Sequence, residues 1–482
     1  MTKRSTFRSL LSVLLTLTVL AVMIPVGLFS ASAAPASGTS GTTGACTWTL
    51  DGTELTISGN GAMEDNFKPW GTEITRVTIE DGVTSIGDHA FTSCYELTDV
   101  SIPDSVTSIG YAAFSGCSKL TEVKIPSGVT RIEAEAFWSC KNLTEITIPS
   151  GVTSIEAAVF RDCSGLTSIT IPYGVTSIEG WAFFGCSGLT SITIPYGVTS
   201  IGSESFSHCT GLTEIAIPSS VTNIGGGAFV GCTGLTGITI PSSVTRLNEC
   251  VLYWCTGLTA LTIPSSVTSI GGDAFYRCSN LVMLCVPDSV TEIGSRAFEG
   301  CEKLTLFGKK GSYIESYAKA NGIAFQETVP GETLVNLDGA WYYMADGAFR
   351  NETTLVNYYG TWYYVENGVL NWNYTGLVNY YGTWYYVENG VLNWNYTGLT
   401  NYYGTWYYVE NGVLNWGYTG LTNYYGTWYY VENGVLNWNA TTLTNYYGTW
   451  YYVENGVLNW NANLRFSYYG TRYRVVNGVV VF

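Results

Sequence analysis

The chain repeats itself every 23 residues. From Leu166 to Gly188 it reads LTSITIPYGVTSIEGWAFFGCSG, and the following unit repeats that opening unchanged. A unit this short cannot enclose a core of its own and must stack on its neighbours, so the period dictates a solenoid with one coil per repeat.

The recurring positions say which atoms face inward. Leu97, Leu120, Leu143, Leu166, Leu189, Leu212, Leu235, Leu258 and Leu281 are each followed by apolar residues three and five places later. That alternation predicts a short strand with one buried face. A proline, as at Pro103, Pro126 and Pro172, ends it because proline has no N–H for a parallel ladder. V-T-x-I, as in Val175 to Ile178, predicts a second short strand, and A-F-x-x-C, as in Ala182 to Cys186, a helical or 3₁₀ third side.

The consensus L-T-x-I-x-I-P-x-x-V-T-x-I-x-x-x-A-F-x-x-C resembles the BspA-like bacterial surface-antigen class of leucine-rich repeat, over about Ile74 to Gln326. The resemblance implies a leucine-rich-repeat solenoid of short parallel β-strands with helical or 3₁₀ turns, here spanning 74–303.

Residues 1–33 read as a secretory signal peptide. Lys3, Arg4 and Arg8 precede the apolar run Leu10 to Phe29, and Ala31-Ser32-Ala33 supplies small residues for cleavage. An uncleaved membrane anchor is the alternative. Cleavage removes three basic residues, taking the net charge of −16 further negative. Such acidity argues against nucleic acid and anionic lipid as partners, and no membrane span is expected after cleavage. Residues 34–45 are small and polar and predict a flexible linker. In 46–73, Trp48, Leu50, Leu55 and Ile57 alternate about Asp51-Gly52, a hairpin that would cap the first coil, with Trp70 plugging that end. A helical stretch, Gly311 to Ala320, marks a C-terminal cap over 304–328, and 329–333 is a short linker.

Ten cysteines, from Cys94 to Cys301, fall on the 23-residue period and form a column. Neighbouring coils project them in parallel, whereas a disulfide needs facing Cβ atoms, so buried thiols are expected rather than crosslinks. No C-x-x-C pair suggests zinc, and neither a metal nor any cofactor is expected. Cys285 aligns with Thr239 and Thr262 between two inward residues, so it should point outward and be the more accessible thiol.

That outward row is a candidate binding surface. Asp99, Glu122 and Glu145 form an acidic file, open to two readings: a cation or basic partner, or a solvated polar face. Aromatic residues stand in and after the turns, at Tyr173, Tyr196 and Trp181, and mark where an unknown protein or glycan partner would be met first.

Over 334–482 a second repeat takes over, N-Y-Y-G-T-W-Y-Y-V-E-N-G-V-L-N-W-N-Y-T-G-L-x, with a period of 22 residues. Asn-Gly between apolar runs, as at Asn367-Gly368, predicts one hairpin per unit and an all-β array. The pattern is similar to the choline- and glucan-binding cell-wall repeats of Gram-positive surface proteins. Where that family has Gly-Trp, one wall of its choline cage, this chain has Gly376-Leu377, Gly398-Leu399 and Gly420-Leu421. The resemblance implies retention on a cell-wall or extracellular polysaccharide. Its candidate residues are Trp362, Tyr363, Trp372, Trp384, Tyr385, Trp394, Trp406, Tyr407, Trp416, Trp428, Tyr429, Trp438, Trp450, Tyr451 and Trp460.

His89 and His208 occupy unlike repeat positions, and no catalytic triad, phosphate loop or zinc-protease motif occurs, so the chain does not read as an enzyme. The expectation is a secreted bacterial surface protein for adhesion or ligand binding, held at the wall by its tail. A spacer or stalk without a specific ligand is one alternative, and a wall-acting enzyme with an unrecognised site the other.

Overall fold

The computed structural model describes residues 39–482, so the signal-peptide segment 1–33 lies outside the described residues. The chain packs as two compact units. One runs up to Gly234 and takes in Cys250–Tyr253; the other comprises Leu235–Glu249 and Trp254–Phe482.

The first unit is a coil stack behind a hairpin cap. Cys46–Asp51 pairs antiparallel with Glu54–Gly59, which then runs parallel to the first coil strand, Arg76–Ile79. The cap thereby closes an edge that would otherwise be open. Ser40–Thr43, expected from composition to be flexible, is a further strand against Cys46–Asp51. Its small side chains permit this: Gly41 lies under the Trp48 indole, where a built Cβ would come within 2.8 Å. Trp70 is buried, packs against Trp48 and Phe91, and donates its indole N–H to the Ala90 carbonyl at 3.1 Å.

Most coils contribute two strands of two to four residues in parallel register; in the coils that start at Leu166 and Leu189 the first is reduced to single bridges at Thr170 and Thr193, and the second, Ser177–Ile178 and Ser200–Ile201, continues the ladder from Ser154–Ile155. The threonine of several L-T pairs binds the coil before it, its hydroxyl reaching the preceding threonine carbonyl, as from Thr98 to Thr75 at 3.0 Å and from Thr144 to Thr121 at 3.2 Å. Inward, the repeat phenylalanines stack from Phe91 to Phe229 with ring centroids 5.2–5.9 Å apart. Each fully buried apolar side chain of this kind stabilises the coil by about 1.5–3 kcal/mol.

The third side is neither α nor 3₁₀. It is a run of turns with left-handed residues at fixed places, His89 and Ser93 in one coil and Glu135 and Ser139 in another. Alternate N–H groups bond within the coil and to the next one: Phe91 donates to the Ala113 carbonyl at 2.7 Å, while Cys94 donates to Phe91 at 3.1 Å. A helix would turn all its hydrogen bonds inward; here half of them join neighbouring coils, which outweighs the cost of a non-glycine residue at positive φ.

No disulfide joins any of the 13 cysteines, and all but Cys250 are buried. In the first unit the column thiols from Cys117 to Cys232 donate to phenylalanine carbonyls of an earlier coil, as Cys163 to Phe137 at 3.1 Å, and Cys94 donates to the Gly71 carbonyl. Burial pushes the Cys163 thiol up to about 12.

The second unit contains the last coils, a cap and the whole tail. Thr305–Gly308 and Ala324–Glu327 extend the parallel sheet on either side of the helix Tyr313–Asn321, which buries Ile314 and Ala318. The tail starts with the strand Glu332–Leu337, within the segment expected to be a linker.

Cys285 corrects the sequence expectation. Its strand does direct it away from the coil interior, yet it is only 3% exposed. Tyr342 and Met344 from the first tail hairpin lie with Ala260, Met283, Cys285 and Phe307 in one apolar cluster. The Thr262 hydroxyl donates to the Phe349 carbonyl at 3.1 Å, and Lys303 pairs with Asp338 at 3.4 Å. Four apolar outward side chains are thus explained by the hairpin lying over them. Burial holds the Cys285 thiol up at about 11.

A thiol experiment checks this seal. In the native protein Cys285 should resist a water-soluble thiol reagent, and the pair Tyr342→Ala, Met344→Ala should expose it, raising its labelling rate about tenfold or more, since a thiolate must form and be reached. Peptide mapping showing equal labelling of Cys285 in both proteins would remove the hairpin as its cover.

Candidate functional site

The tail unit is built from three strands and two turns. Gly376–Tyr380 pairs with Thr383–Glu388 across Tyr381-Gly382, and Thr383–Glu388 pairs with Val391–Leu392 across Asn389-Gly390. Both turns put two residues at positive φ, 48° and 85° in the first and 52° and 75° in the second, as a two-residue hairpin loop needs. The Asn-Gly turn therefore does not make the main hairpin; it returns the chain into a short third strand. That strand joins the units, because Tyr363 pairs with Val391 of the following repeat.

Each repeat buries part of its aromatic surface and leaves part outside. Tyr364 is buried and stacks on Tyr374 with centroids 4.0 Å apart. The Tyr374 hydroxyl donates to the Leu377 carbonyl at 2.8 Å. Burial pushes Tyr374 up to about 12, with Tyr364, Tyr402, Tyr403 and Glu366 acting in the same direction. Rings from alternate repeats therefore share one neighbourhood. Leu377, standing where the choline-binding pattern has tryptophan, is buried beside Tyr386 and so forms core rather than a cage wall.

The predicted candidates separate into two sets. Trp362, Trp384, Trp406, Trp428 and Trp450 are partly buried, each edge-on to a tyrosine of the next repeat; Trp362 meets Tyr380 at 5.3 Å. By contrast Trp372, Trp394, Trp416, Trp438 and Trp460 are about half exposed. Each stands at right angles to the middle tyrosine of its strand, as Trp372 to Tyr363 at 5.9 Å and 85°, with Tyr385, Tyr407, Tyr429 and Tyr451 repeating the arrangement. The following Asn-Gly turn packs on the tryptophan backbone. The product is one rigid, open aromatic corner per repeat, joining two units.

Sequence reasoning missed a third set. Tyr359, Tyr381, Tyr403, Tyr425, Tyr447 and Tyr469 sit in the main hairpin turns at φ 45–51° and are 89–92% exposed. A non-glycine residue there costs about 1–2 kcal/mol, less for asparagine. The missed signal is the Tyr-Gly pair itself.

The solenoid candidates remain spread out. Tyr173 and Tyr196 are exposed one coil apart, while Trp181 is half-buried at positive φ. In the acidic file Glu122 and Glu145 pair in register and are exposed, but Asp99 is held by Arg76 at 3.2 Å. Among the described residues no group of metal-binding side chains forms. Arg161, not singled out from the sequence, lies between the Trp138 and Phe184 rings, 5.5 and 4.8 Å from their centroids. The second unit also has a cleft of about 300 Å³, lined by Thr239, Thr262, Phe349, Arg350, Asn351 and Glu352 among others.

The profile of the BspA type leucine rich repeat region matches residues 65–190 and 181–305 in six copies. This chain belongs to that family. In the tail of this BspA-type protein the choline-binding repeat model matches residues 351–371, 373–393, 395–415, 417–437 and 439–459. Similar solved structures include a leucine rich cell surface protein from Faecalibacterium prausnitzii, 30% identical, covering 59% of this chain and 98% of that one, with a TM-score of 0.35. The pneumococcal vaccine antigen PcpA is 15% identical over 61% of this chain and 99% of its own, with a TM-score of 0.40. Choline binding protein F from Streptococcus pneumoniae is 29% identical over 32% and 48%, with a TM-score of 0.17. No curated protein sequence matches the BspA-type chain.

Proposed function

We propose that this is a secreted, surface-associated adhesin or ligand-binding protein, whose coils present the recognition surface and whose tail retains it on a cell-wall or other extracellular polysaccharide. The observation that carries the reading is the open corner made by Trp372 with Tyr363 and repeated through Trp460 with Tyr451. Half-exposed rings fixed at right angles suit the apolar face of a sugar or a quaternary ammonium on a wall polymer. Weak sites on a common scaffold add by effective concentration. Families of this kind are typical of bacterial surface proteins, and among the described residues no helix is long and apolar enough to cross a membrane.

Sedimentation with purified bacterial walls tests it on the full-length protein. Trp372→Ala, Trp394→Ala and Trp416→Ala together should weaken retention roughly tenfold or more, because three adjacent sites are lost from one avid array. Unchanged retention would leave the corners structural and the tail a spacer.

A further inference from the structure

We propose that the six turn tyrosines, Tyr359, Tyr381, Tyr403, Tyr425, Tyr447 and Tyr469, are a second row of binding platforms, for neutral polysaccharide chains, separate from the tryptophan corners. The proposal rests on reading the tail as a glycan-binding array and assigns it a further site.

The choice of residue is the first argument. Both turns of a repeat hold their leading residue at nearly the same angle, φ 48° at Tyr381 and 52° at Asn389. Asparagine tolerates that region and the chain uses it at every second turn from Asn367 to Asn477. At the main turn the chain instead places a bulky ring, six times, against the backbone preference. The rings are about nine-tenths exposed and bury little of their surface within the fold; each lies edge-on to its preceding tyrosine, as Tyr380 and Tyr381 at 4.6 Å.

The tail contains its own control. Its first hairpin has the same turn at Asp338-Gly339, with Asp338 at φ 50°. This is the turn that lies against a coil, where Asp338 pairs with Lys303. Where the turn has a partner within the molecule the residue is aspartate; in the six units that follow it is tyrosine.

Charge selects the occupant. From Thr353 to Leu464 the chain has five glutamates and no aspartate, lysine, arginine or histidine, so nothing there would hold a phosphate or carboxylate polymer. Around the five turns from Tyr359 to Tyr447 stand neutral hydrogen-bonding groups and flat rings, including Asn379, whose side-chain oxygen accepts the Gly382 N–H at 3.2 Å, whereas the last turn, at Tyr469, closes a hairpin that carries Arg465, Arg472 and Arg474. Flat rings in a neutral polar setting match sugars, which present C–H faces and hydroxyl edges. Repetition along the array matches a polymer, since many weak contacts can engage one chain.

The experiment compares full-length protein with its Tyr381→Asn, Tyr403→Asn, Tyr425→Asn variant. Asparagine already occupies the equivalent backbone angle, so the variant should fold and melt at no lower temperature. Affinity electrophoresis through gels containing dextran or laminarin should retard the unmodified protein in at least one of them, and the variant should bind roughly tenfold more weakly or less. Equal retardation of the two proteins overturns the proposal, as does passage of the unmodified protein through both gels unretarded. Choline chloride should leave retardation unchanged; its abolishing it would make the turns cation cages instead. Wall sedimentation of the same variant reads the tryptophan corners independently, so retained wall binding with lost glucan retardation separates this row from them.

Discussion

Phe160→Ala should destabilise the first unit by about 3–5 kcal/mol, the range for removing a buried aromatic side chain when the cavity cannot collapse. Phe160 is about 1% exposed and lies between Phe137 and Phe183, with ring centroids 5.9 and 5.7 Å away. Neither neighbour can slide into the gap, since each is fixed in its own coil by hydrogen bonds that cross to the next, as from Phe137 N–H to the Val159 carbonyl at 3.0 Å. Because each coil is stabilised mainly by those beside it, the loss falls where the stack is continuous and uncouples the coils on its two sides. Against a typical total of about 5–15 kcal/mol the change is large enough to split or abolish the cooperative transition. Tyr173→Ala, at a ring 90% exposed in the same unit, should change stability by no more than about 0.5 kcal/mol. Urea denaturation followed by circular dichroism compares the two. A loss below about 1 kcal/mol for Phe160→Ala would mean the phenylalanine stack is not what holds the coils together.

In the tail, the second large effect should come from Gly390→Ala and not from Gly382→Ala. Both glycines follow a residue at positive φ and are themselves left-handed, at 75° and 85°. Both substitutions therefore carry backbone strain of about 1–2 kcal/mol. A Cβ at Gly382 meets nothing within 4 Å, whereas one at Gly390 would stand 2.6 Å from the Asn371 carbonyl oxygen and 2.9 Å from Trp372 Cα. These are backbone atoms of the preceding repeat and cannot rotate aside, so overpacking adds about 1–3 kcal/mol. Gly390→Ala should thus cost about 2–5 kcal/mol, and it should also open the Trp372 corner, seen as increased acrylamide quenching of tryptophan. Equal losses for the two variants would show that Gly390 serves only its turn and that the units are not packed through it.

The outcome at particular residues shows how much was legible in advance. The Leu, Val, Ile, Phe and Cys positions of the coils are buried as their period implies, because a repeat that must stack on copies of itself leaves one inward face available. Which tryptophans stay open was not legible: both sets recur once per repeat, and packing leaves Trp362 and its equivalents partly buried while Trp372 and its equivalents are about half exposed. Nor were Tyr381 and its equivalents: Asn-Gly is the stronger turn signal, and only the backbone angles reveal the Tyr-Gly turn beside it. The acidic file was half legible, since Asp99 proved to be paired with an arginine two dozen residues earlier.

What the sequence determined by itself is everything that follows from local period: the solenoid, its inward columns, the buried file of thiols, and an all-β aromatic array. Such features depend on residues one repeat apart, and a fixed spacing encodes them. The tertiary structure alone decided which outward positions are covered and which face solvent. Cys285 and Thr239 hold the same place in their coils, yet Cys285 is sealed by Tyr342 and Met344, residues some sixty positions later in another kind of repeat. Burial of an outward side chain depends on what is packed over it, and the spacing within its own repeat carries no information about that neighbour.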